Sequence, residues 1–305
     1  MSLVSSNLNH GWVYRDRISA KHAGKTVLDY YSNQYRHSTP QQWRTRIQQG
    51  QILIEAEPTT PDTVLALGEQ LTYHRSPWQE PAVPLEFATI YQDRDLLVIN
   101  KPSGLPVLPG GNFLEHTLLK QLEKLYPKNP PIPIHRLGRG TSGLMLLARS
   151  LEAKSRLSRQ MRDRKITKIY LAKASGIIQQ EKFIITQPIG KIPHPAMGYI
   201  YGATDSGKYA HSECQVLQRG ADHTLVKVKI LTGRPHQIRI HLAAAGYPLV
   251  GDPLYLVGGI PRTQKIKNGT YATPSDLGYW LHAHCLEFQH PSSNQKISFT
   301  RLPPN

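Results

Sequence analysis

The sequence predicts an α+β protein in two parts, a small N-terminal α/β unit and a larger domain built on a mixed sheet. Three observations carry this. Apolar runs of strand length recur at residues 96–99, 144–148, 168–174 and 225–230, and helical patterns intervene at about 116–125, 151–164 and 236–245. A separate group of two short helical patterns and two short strands lies upstream of all of them. A proline-rich stretch, SPWQEPAVP at residues 76–84, reads as the linker between the two parts.

In order along the chain, residues 1–10 read as a tail and residues 11–75 as the small unit. Val27, Leu28, Tyr31 and Tyr35 recur at helical spacing. Thr39 and Pro40 look like the cap and first residue of a second helix, with Trp43 and Ile47 on one face and Gly50 past its end. Ile52 and Ile54 alternate as a short strand, and Leu65, Leu67, Leu71 and Tyr73 follow around a turn at Gly68. This pattern resembles the S4-type RNA-binding module. Arg15, Arg17, Lys21, Lys25, Arg36, Arg44 and Arg46 make the unit basic, which favours contact with RNA over a merely solvated face. The larger domain spans residues 85–305. In it LHAHCLEFQHP, residues 281–291, alternates like an interior strand, and Gly/Pro-rich segments at 192–207 and 258–274 read as surface loops.

Charge narrows the function. Lys and Arg number 37 against 21 acids, a net +16 over 305 residues, and such a field captures polyanions. Nucleic acid is the first such partner. An anionic membrane ranks below it, because no basic amphipathic helix with exposed aromatics stands out. No apolar run is long enough to span a bilayer, and MSLVSSNLNH lacks the basic start and apolar stretch of a secretory signal. A cytoplasmic location is therefore expected. Cys214 and Cys285 are the two cysteines and form no CxxC, which excludes a disulfide framework. A monomer is expected, since no coiled coil or symmetric motif appears.

Four blocks carry the chemistry. In IYQDRDLLVINKPSGLPVLPG, residues 90–110, a strand ends in Asn100-Lys101-Pro102, which puts a lysine at a loop mouth; a plain surface lysine is the alternative. In IHRLGRGTSGLMLLA, residues 134–148, a segment with three glycines and the cations Arg136 and Arg139 feeds a buried strand, a common setting for a site. In KIYLAKASG, residues 168–176, Tyr170 points to one face and could stack on a base; from spacing alone core packing is the better reading. In LTGRPHQIRIHLAAAGYPLVGDPLY, residues 231–255, a strand, turn and helix follow. His236 with Arg239, and Gln237 with His241, share helix faces there.

Taken in order from about residue 90 to 291, these blocks resemble the RluA-type pseudouridine synthases, whose pattern runs NKPxG, HRLDxxTSG, KxYxA, TGRxHQIRxH with GD and Tyr, then LHA. The resemblance implies the pseudouridine synthase fold, a mixed, mostly antiparallel central sheet with flanking helices and loops, and an N-terminal S4-like domain. It implies isomerisation of a uridine to pseudouridine in ribosomal or transfer RNA, on a nucleotide taken out of the stack, with no cofactor and no metal. By position, Arg239 matches the arginine that pairs with the family's aspartate, Tyr170 the tyrosine that packs on the target base, and Arg136 the arginine that fills the gap left by the flipped nucleotide. Lys101 falls where the family keeps a basic residue near the pocket. His135, Arg139, Thr141, Ser142, Arg234, His236 and Gln237 complete the expected RNA-binding set.

At the position of the family's aspartate the chain has Gly138. His135, Arg136 and Leu137 precede it and Thr141, Ser142 and Gly143 follow it at unchanged spacing. Glycine cannot act as nucleophile, base or charge partner. Arg239 is then short of its partner, and a buried unpaired charge costs several kcal/mol, so a substitute anion is expected. Asp252 is the nearest motif carboxylate in sequence, and its GD context reads as structural. Two readings stand: an active isomerase with a relocated carboxylate, or an RNA-binding protein of the same fold without catalysis. A metal hydrolase using His236, His241, His282 and His284 ranks well behind, because their spacing is not that of a ligand set. Arg156, Arg159, Arg162 and Arg164 make a basic stripe on the helix expected over 151–164, facing RNA or simply solvent.

Overall fold

The computed structural model describes residues 8–35, 38–266 and 269–303. Arg36 and most of the expected tail lie outside the described residues. The chain divides into one unit up to Glu80, which also takes in Pro195–Gly198, and a second comprising Pro81–His194 and the chain from Tyr199 onward.

The first unit contains β1 (Trp12–Arg17), α1 (Val27–Gln34), α2 (Pro40–Gln48), β2 (Ile52–Ile54), β3 (Glu57–Pro58) and β4 (Gln70–Arg75). Thr26 caps α1 by accepting from the Asp29 amide. Thr39 caps α2 in a reciprocal box with Gln42, and Pro40 opens the helix, where its missing N–H costs nothing. Val27, Tyr31, Trp43, Ile47, Ile52 and Leu71 form the core under an antiparallel sheet of order β1-β4-β2-β3. Strands β1 and β3 are additions to the elements expected. WVYRDR is mostly exposed and keeps no apolar alternation, so only pairing with β4 reveals it.

The second unit runs β5 (Ala88–Gln92), β6 (Leu96–Lys101), α3 (Leu118–Leu125), β7 (Ile132–Pro133), β8 (Ser142–Ala148), α4 (Leu151–Arg162), β9 (Thr167–Ser175), β10 (Lys182–Ile185), β11 (Ile189–His194), β12 (Gly198–Ala203), β13 (Ser212–Arg219), β14 (His223–Ile230), α5 (Gln237–Ala244), β15 (Leu281–Gln289) and β16 (Lys296–Thr300). Its 10-stranded sheet has the order β10-β13-β14-β9-β15-β8-β6-β5, with β16 on β15 and β7 on β8. The β15–β8 pair is parallel and the other pairs are antiparallel, so the sheet is mixed and mostly antiparallel as expected. The segment 192–207, expected as a surface loop, instead contributes to a β11–β12 pair. Pro193, Pro195, Gly198 and Gly202 hide that ladder in the sequence.

The apolar runs of β6 and β8 are continuous because both faces of the sheet are covered. Leu97, Ile99, Met145 and Leu147 join one core with Leu118 and Leu122 of α3. Leu96, Val98, Leu144 and Leu146 join another with Ala153 and Leu157 of α4. Where β8 meets β15, Gly143 has φ +107°, and a Cβ there would stand 2.3 Å from the Ala283 carbonyl oxygen. Only glycine allows that approach. Helix α5 is buried from Gln237 through Ala243, and this puts Arg239 inside the protein.

Candidate active site

The turn from β14 into α5 is tied by the side chain of Gln237. Its Oε1 accepts from Thr232 Oγ1 at 2.7 Å and from the Arg234 amide at 3.0 Å. Its Nε2 donates to the His211 carbonyl at 2.9 Å and to Ser212 Oγ at 3.0 Å. Arg234 Nε donates to the Tyr209 carbonyl at 2.9 Å. Both residues, expected to contact RNA, hold the turn here. His236 sits at the helix start with φ 54°. The Tyr255 hydroxyl donates to the Tyr201 carbonyl at 2.9 Å, so the 2.7 Å contact with His236 is a donation from Nδ1–H, which leaves Nε2 unprotonated. Burial first, then the neighbouring Arg239, pushes the His236 pKa down to about 4.

Arg239 makes a buried bidentate pair with Asp252, Nε to Oδ2 at 2.7 Å and Nη2 to Oδ1 at 2.8 Å. The side chains are 3% and 0% exposed. Burial opposes the charge on Arg239, yet the hydrogen-bonded carboxylate outweighs it and holds the guanidinium pKa above its ordinary value. Nη1 donates to the Pro274 carbonyl at 3.0 Å, and the guanidinium lies 4.1 Å from the Tyr279 ring centre and 5.0 Å from that of Tyr255. The orphaned arginine expected from Gly138 is therefore partnered. Asp252 Oδ1 also accepts from the amides of Leu254 at 2.9 Å and Tyr255 at 3.2 Å. This carboxylate is sealed into the turn after α5 and presents nothing to a ligand.

The glycine-rich block leads into β8. His135 Nε2 accepts from the Leu146 amide at 3.2 Å, and burial pushes its pKa down to about 4. Lys101 is 0% exposed, and Nζ donates to the carbonyls of Pro102, Leu105 and Arg139 at 2.7, 2.8 and 3.3 Å. Burial pushes its pKa down to about 7. Expected at a loop mouth near the pocket, it fastens two loops together from inside and lies among the residues that line the cavity described below. Arg139 Nε donates to the Gly104 carbonyl at 3.1 Å, and its guanidinium lies 4.7 Å from the Phe113 ring centre. Ser142 Oγ donates to His282 Nδ1 at 2.8 Å, since His282 Nε2–H is spent on the Arg301 carbonyl at 3.0 Å. Arg136 is exposed, and its charge acts on His236.

Gly138 is exposed, and a Cβ there would meet Tyr279 Oη at 2.9 Å and Thr141 Oγ1 at 3.4 Å. A Cβ on Gly140 would stand 2.9 Å from the same ring. Tyr279 is 5% exposed, and its hydroxyl lies 3.3 Å from Thr141 Oγ1. One tyrosine thus lies against both glycines and over Arg239. The sequence reading missed it; the G-x-G around Arg139 signals a close neighbour without identifying which. A cavity of about 620 Å³ opens beside it, lined in part by Asn100, Ser103, Gly140, Ser142, Tyr279 and Trp280. Tyr170 is 8% exposed, in the core shared with Leu137, Val228 and Tyr279, and burial pushes its phenol up to about 12.

Arg136, Gly138, His236, Arg239 and Tyr279 are thereby brought together, whereas His135 and Gln237 are spent on internal bonds, Arg234 holds the Tyr209 carbonyl at the surface, and Lys101 ties two loops where they border the cavity. The four histidines of the hydrolase reading are taken up in hydrogen bonds: His236 on Tyr255, His241 on Ser212 Oγ and the Gln187 carbonyl, and His282 and His284 together on the Arg301 carbonyl. Among the described residues Asp93, Asp95 and His290 come within 4.8 Å of one another. Their atoms serve hydrogen bonds: Asp93 accepts from Tyr91 and from the amides of Asp95 and Leu96, and it also contacts His290.

A family profile described as RNA pseudouridylate synthase matches residues 95–244. An uncharacterised RNA pseudouridine synthase of Synechocystis sp. is 50% identical over 279 residues, 91% of this chain and 94% of that protein. RNA pseudouridine synthase 5 of Oryza sativa subsp. japonica is 41% identical, over 97% of this chain and 88% of its own length. The solved structure of human RNA pseudouridylate synthase domain containing 1 superposes with a TM-score of 0.55 at 28% identity, covering 74% of this chain and 87% of that one.

Proposed function

The chain belongs to the RNA pseudouridylate synthase family, and we propose that it isomerises a uridine to pseudouridine in structured ribosomal or transfer RNA. The observation that carries this is the convergence of Arg136, His236 and the exposed backbone of Gly138 around Tyr279, which lies over the buried Arg239–Asp252 pair, where one strand-to-helix turn meets one glycine-rich loop. The reaction breaks the bond from N1 to the ribose C1′, with the electron pair staying on N1. The freed base turns, C5 bonds to C1′, the C5 proton leaves and N1 gains one. Atoms balance without a cofactor or metal. Arg136 and Arg139 draw in the phosphates, and Tyr170 backs the extracted base. The S4-like first unit adds a second basic surface for the RNA. A cytoplasmic monomer completes this reading, and no helix of the described residues is long and apolar enough to cross a membrane.

Gly138 stands where the resemblance places an aspartate, and Asp252 is sealed away. That favours a second reading, an RNA-binding protein that assists RNA folding or ribosome assembly without catalysis. Incubation with ribosomal and transfer RNA, followed by mapping of new pseudouridines, separates the two. New product at a defined uridine supports the isomerase. RNA binding with no product on either RNA class supports the second reading.

A further inference from the structure

We propose that the first unit holds a seat for one unpaired RNA nucleotide where α2 faces the end of β4, its base on the Arg75–Trp78 stack and its phosphate on Arg46 and Arg75. This rests on the RNA-binding part of the function proposed above and does not require catalysis. A cavity of about 410 Å³ opens there, within the roughly 300–1,000 Å³ of small-ligand pockets. Gln42, Arg46 and Gln49 line it from the helix, Tyr73 and Arg75 from the strand, and Trp78 from the chain that follows. Among the described residues no carboxylate lines it.

The chain builds this place in advance. The His74 amide donates to the Gln51 carbonyl at 2.7 Å, and Gln51 Nε2 donates to Gln49 Oε1 at 3.2 Å and to Ser76 Oγ at 3.3 Å, which ties helix end to strand end. Arg46 Nη1 donates to Ser38 Oγ at 2.8 Å, and its guanidinium lies 4.5 Å from the ring centre of Trp43 and 5.8 Å from that of Tyr73. The Arg75 guanidinium lies 3.5 Å from the Trp78 ring centre, and both residues are partly exposed. The Trp78 amide donates to Asn9 Oδ1 and its carbonyl accepts from the Asn9 amide, each at 3.1 Å, so the start of the expected linker is anchored in the first unit. Burial raises the Tyr73 pKa, and the charges of Arg46 and Arg75 both oppose that shift, as two cations converging on one phenol must. Two held guanidinium groups without a lining carboxylate suit a phosphate. Unpaired bases stack on aromatic rings and on guanidinium planes alike. Gln42 and Gln49 spend Oε1 on the Thr39 amide and on Gln51, and their Nε2 groups can donate to a base edge. A base inside a duplex has neither its face nor its pairing edge to offer, so the seat fits an unpaired nucleotide.

An arginine laid on a tryptophan can also pack a surface without binding anything, so the test must read a base on the stack. The full chain is titrated with an RNA hairpin carrying a single-stranded flank and with the same hairpin lacking it. Wild type, Trp78→Ala, Trp78→Phe and Arg75→Gln are compared in affinity, salt dependence, tryptophan fluorescence and thermal melting. Wild type should bind the flanked hairpin more tightly. Trp78→Ala should weaken that binding by about 5- to 100-fold, the scale of one stacked base, and leave the blunt hairpin nearly unchanged. Trp78→Phe should keep most of the affinity and lose the fluorescence quenching that the flank causes. Arg75→Gln should weaken flanked binding and lower its salt slope by roughly 0.7, one phosphate contact on a single strand. Should Trp78→Ala melt lower, Trp78→Phe and Arg75→Gln decide alone. Unchanged flanked binding in Trp78→Ala, or flank-dependent quenching that persists in Trp78→Phe, overturns the seat. Equal losses on both hairpins overturn it too and mark a surface for duplex backbone. Flank-selective binding without pseudouridine formation keeps the seat and sinks the isomerase, whereas a wild type that binds neither RNA overturns both.

Discussion

Replacing Asp252 with Asn removes the anion from a pair whose side chains are 3% and 0% exposed. Arg239 then keeps its charge where water cannot reach it, with the Pro274 carbonyl and two aromatic rings as remaining company. Breaking a buried pair from one side costs about 3–5 kcal/mol. Domains of this size lose roughly 2–4 °C of melting temperature per kcal/mol, so the expected fall is roughly 6–20 °C. Thermal unfolding followed by circular dichroism measures it. Replacing both partners by apolar residues, Arg239→Met with Asp252→Leu, should recover much of the loss, because no unpaired charge remains. A fall under about 2 °C for Asp252→Asn would refute the reasoning, since a carboxylate that matters so little cannot be the partner that keeps Arg239 buried and charged.

Gly138→Asp places a Cβ 2.9 Å from Tyr279 Oη and must push that ring off Arg239, so a cost of about 1–3 kcal/mol is expected. Tyr279→Phe, which removes the nearest atom, should recover part of it in a double-mutant cycle of melting curves, and strict additivity would contradict the contact. Lys101→Met strands three carbonyls and should cost at least about 2 kcal/mol while leaving RNA affinity unchanged; the reverse pattern would return Lys101 to the RNA surface. Burial pushes His135, His236 and His241 down to about 4, against 6.5 when exposed. The unfolded chain therefore binds protons that the native state refuses, and stability falls as pH drops from 6.5 towards 4. Proton NMR at pH 5 should find these three imidazoles neutral; their protonation at that pH would contradict the burial.

What the sequence made legible follows from where its signals are strong. Doubly covered strands β6 and β8 appear as continuous apolar runs, and the Thr39-Pro40 cap announces α2, because in both cases local chemistry and final environment agree. Strand β1 is half-solvated and basic, and β11 and β12 are interrupted by proline and glycine, so neither carries a period to read. At the site, the motif blocks locate Arg239 and the glycine-rich loop, but not which groups point inward. Lys101, at a loop mouth in the sequence, is fully buried and bonded to three carbonyls. Asp252 looks structural and proves to be both structural and the partner of Arg239. Tyr279 is invisible beforehand, because its contact with Gly138 joins positions far apart in the chain.

The central claim is that this chain makes pseudouridine, and the C5 proton reports on it directly. RNA carrying uridine tritiated at C5 must release tritium to water when C5 bonds to C1′, whatever the target site. Ribosomal and transfer RNA so labelled and incubated with the protein should release it with time and with protein concentration. Tight RNA binding with no release from either pool would contradict the account and leave the fold as an RNA-binding scaffold.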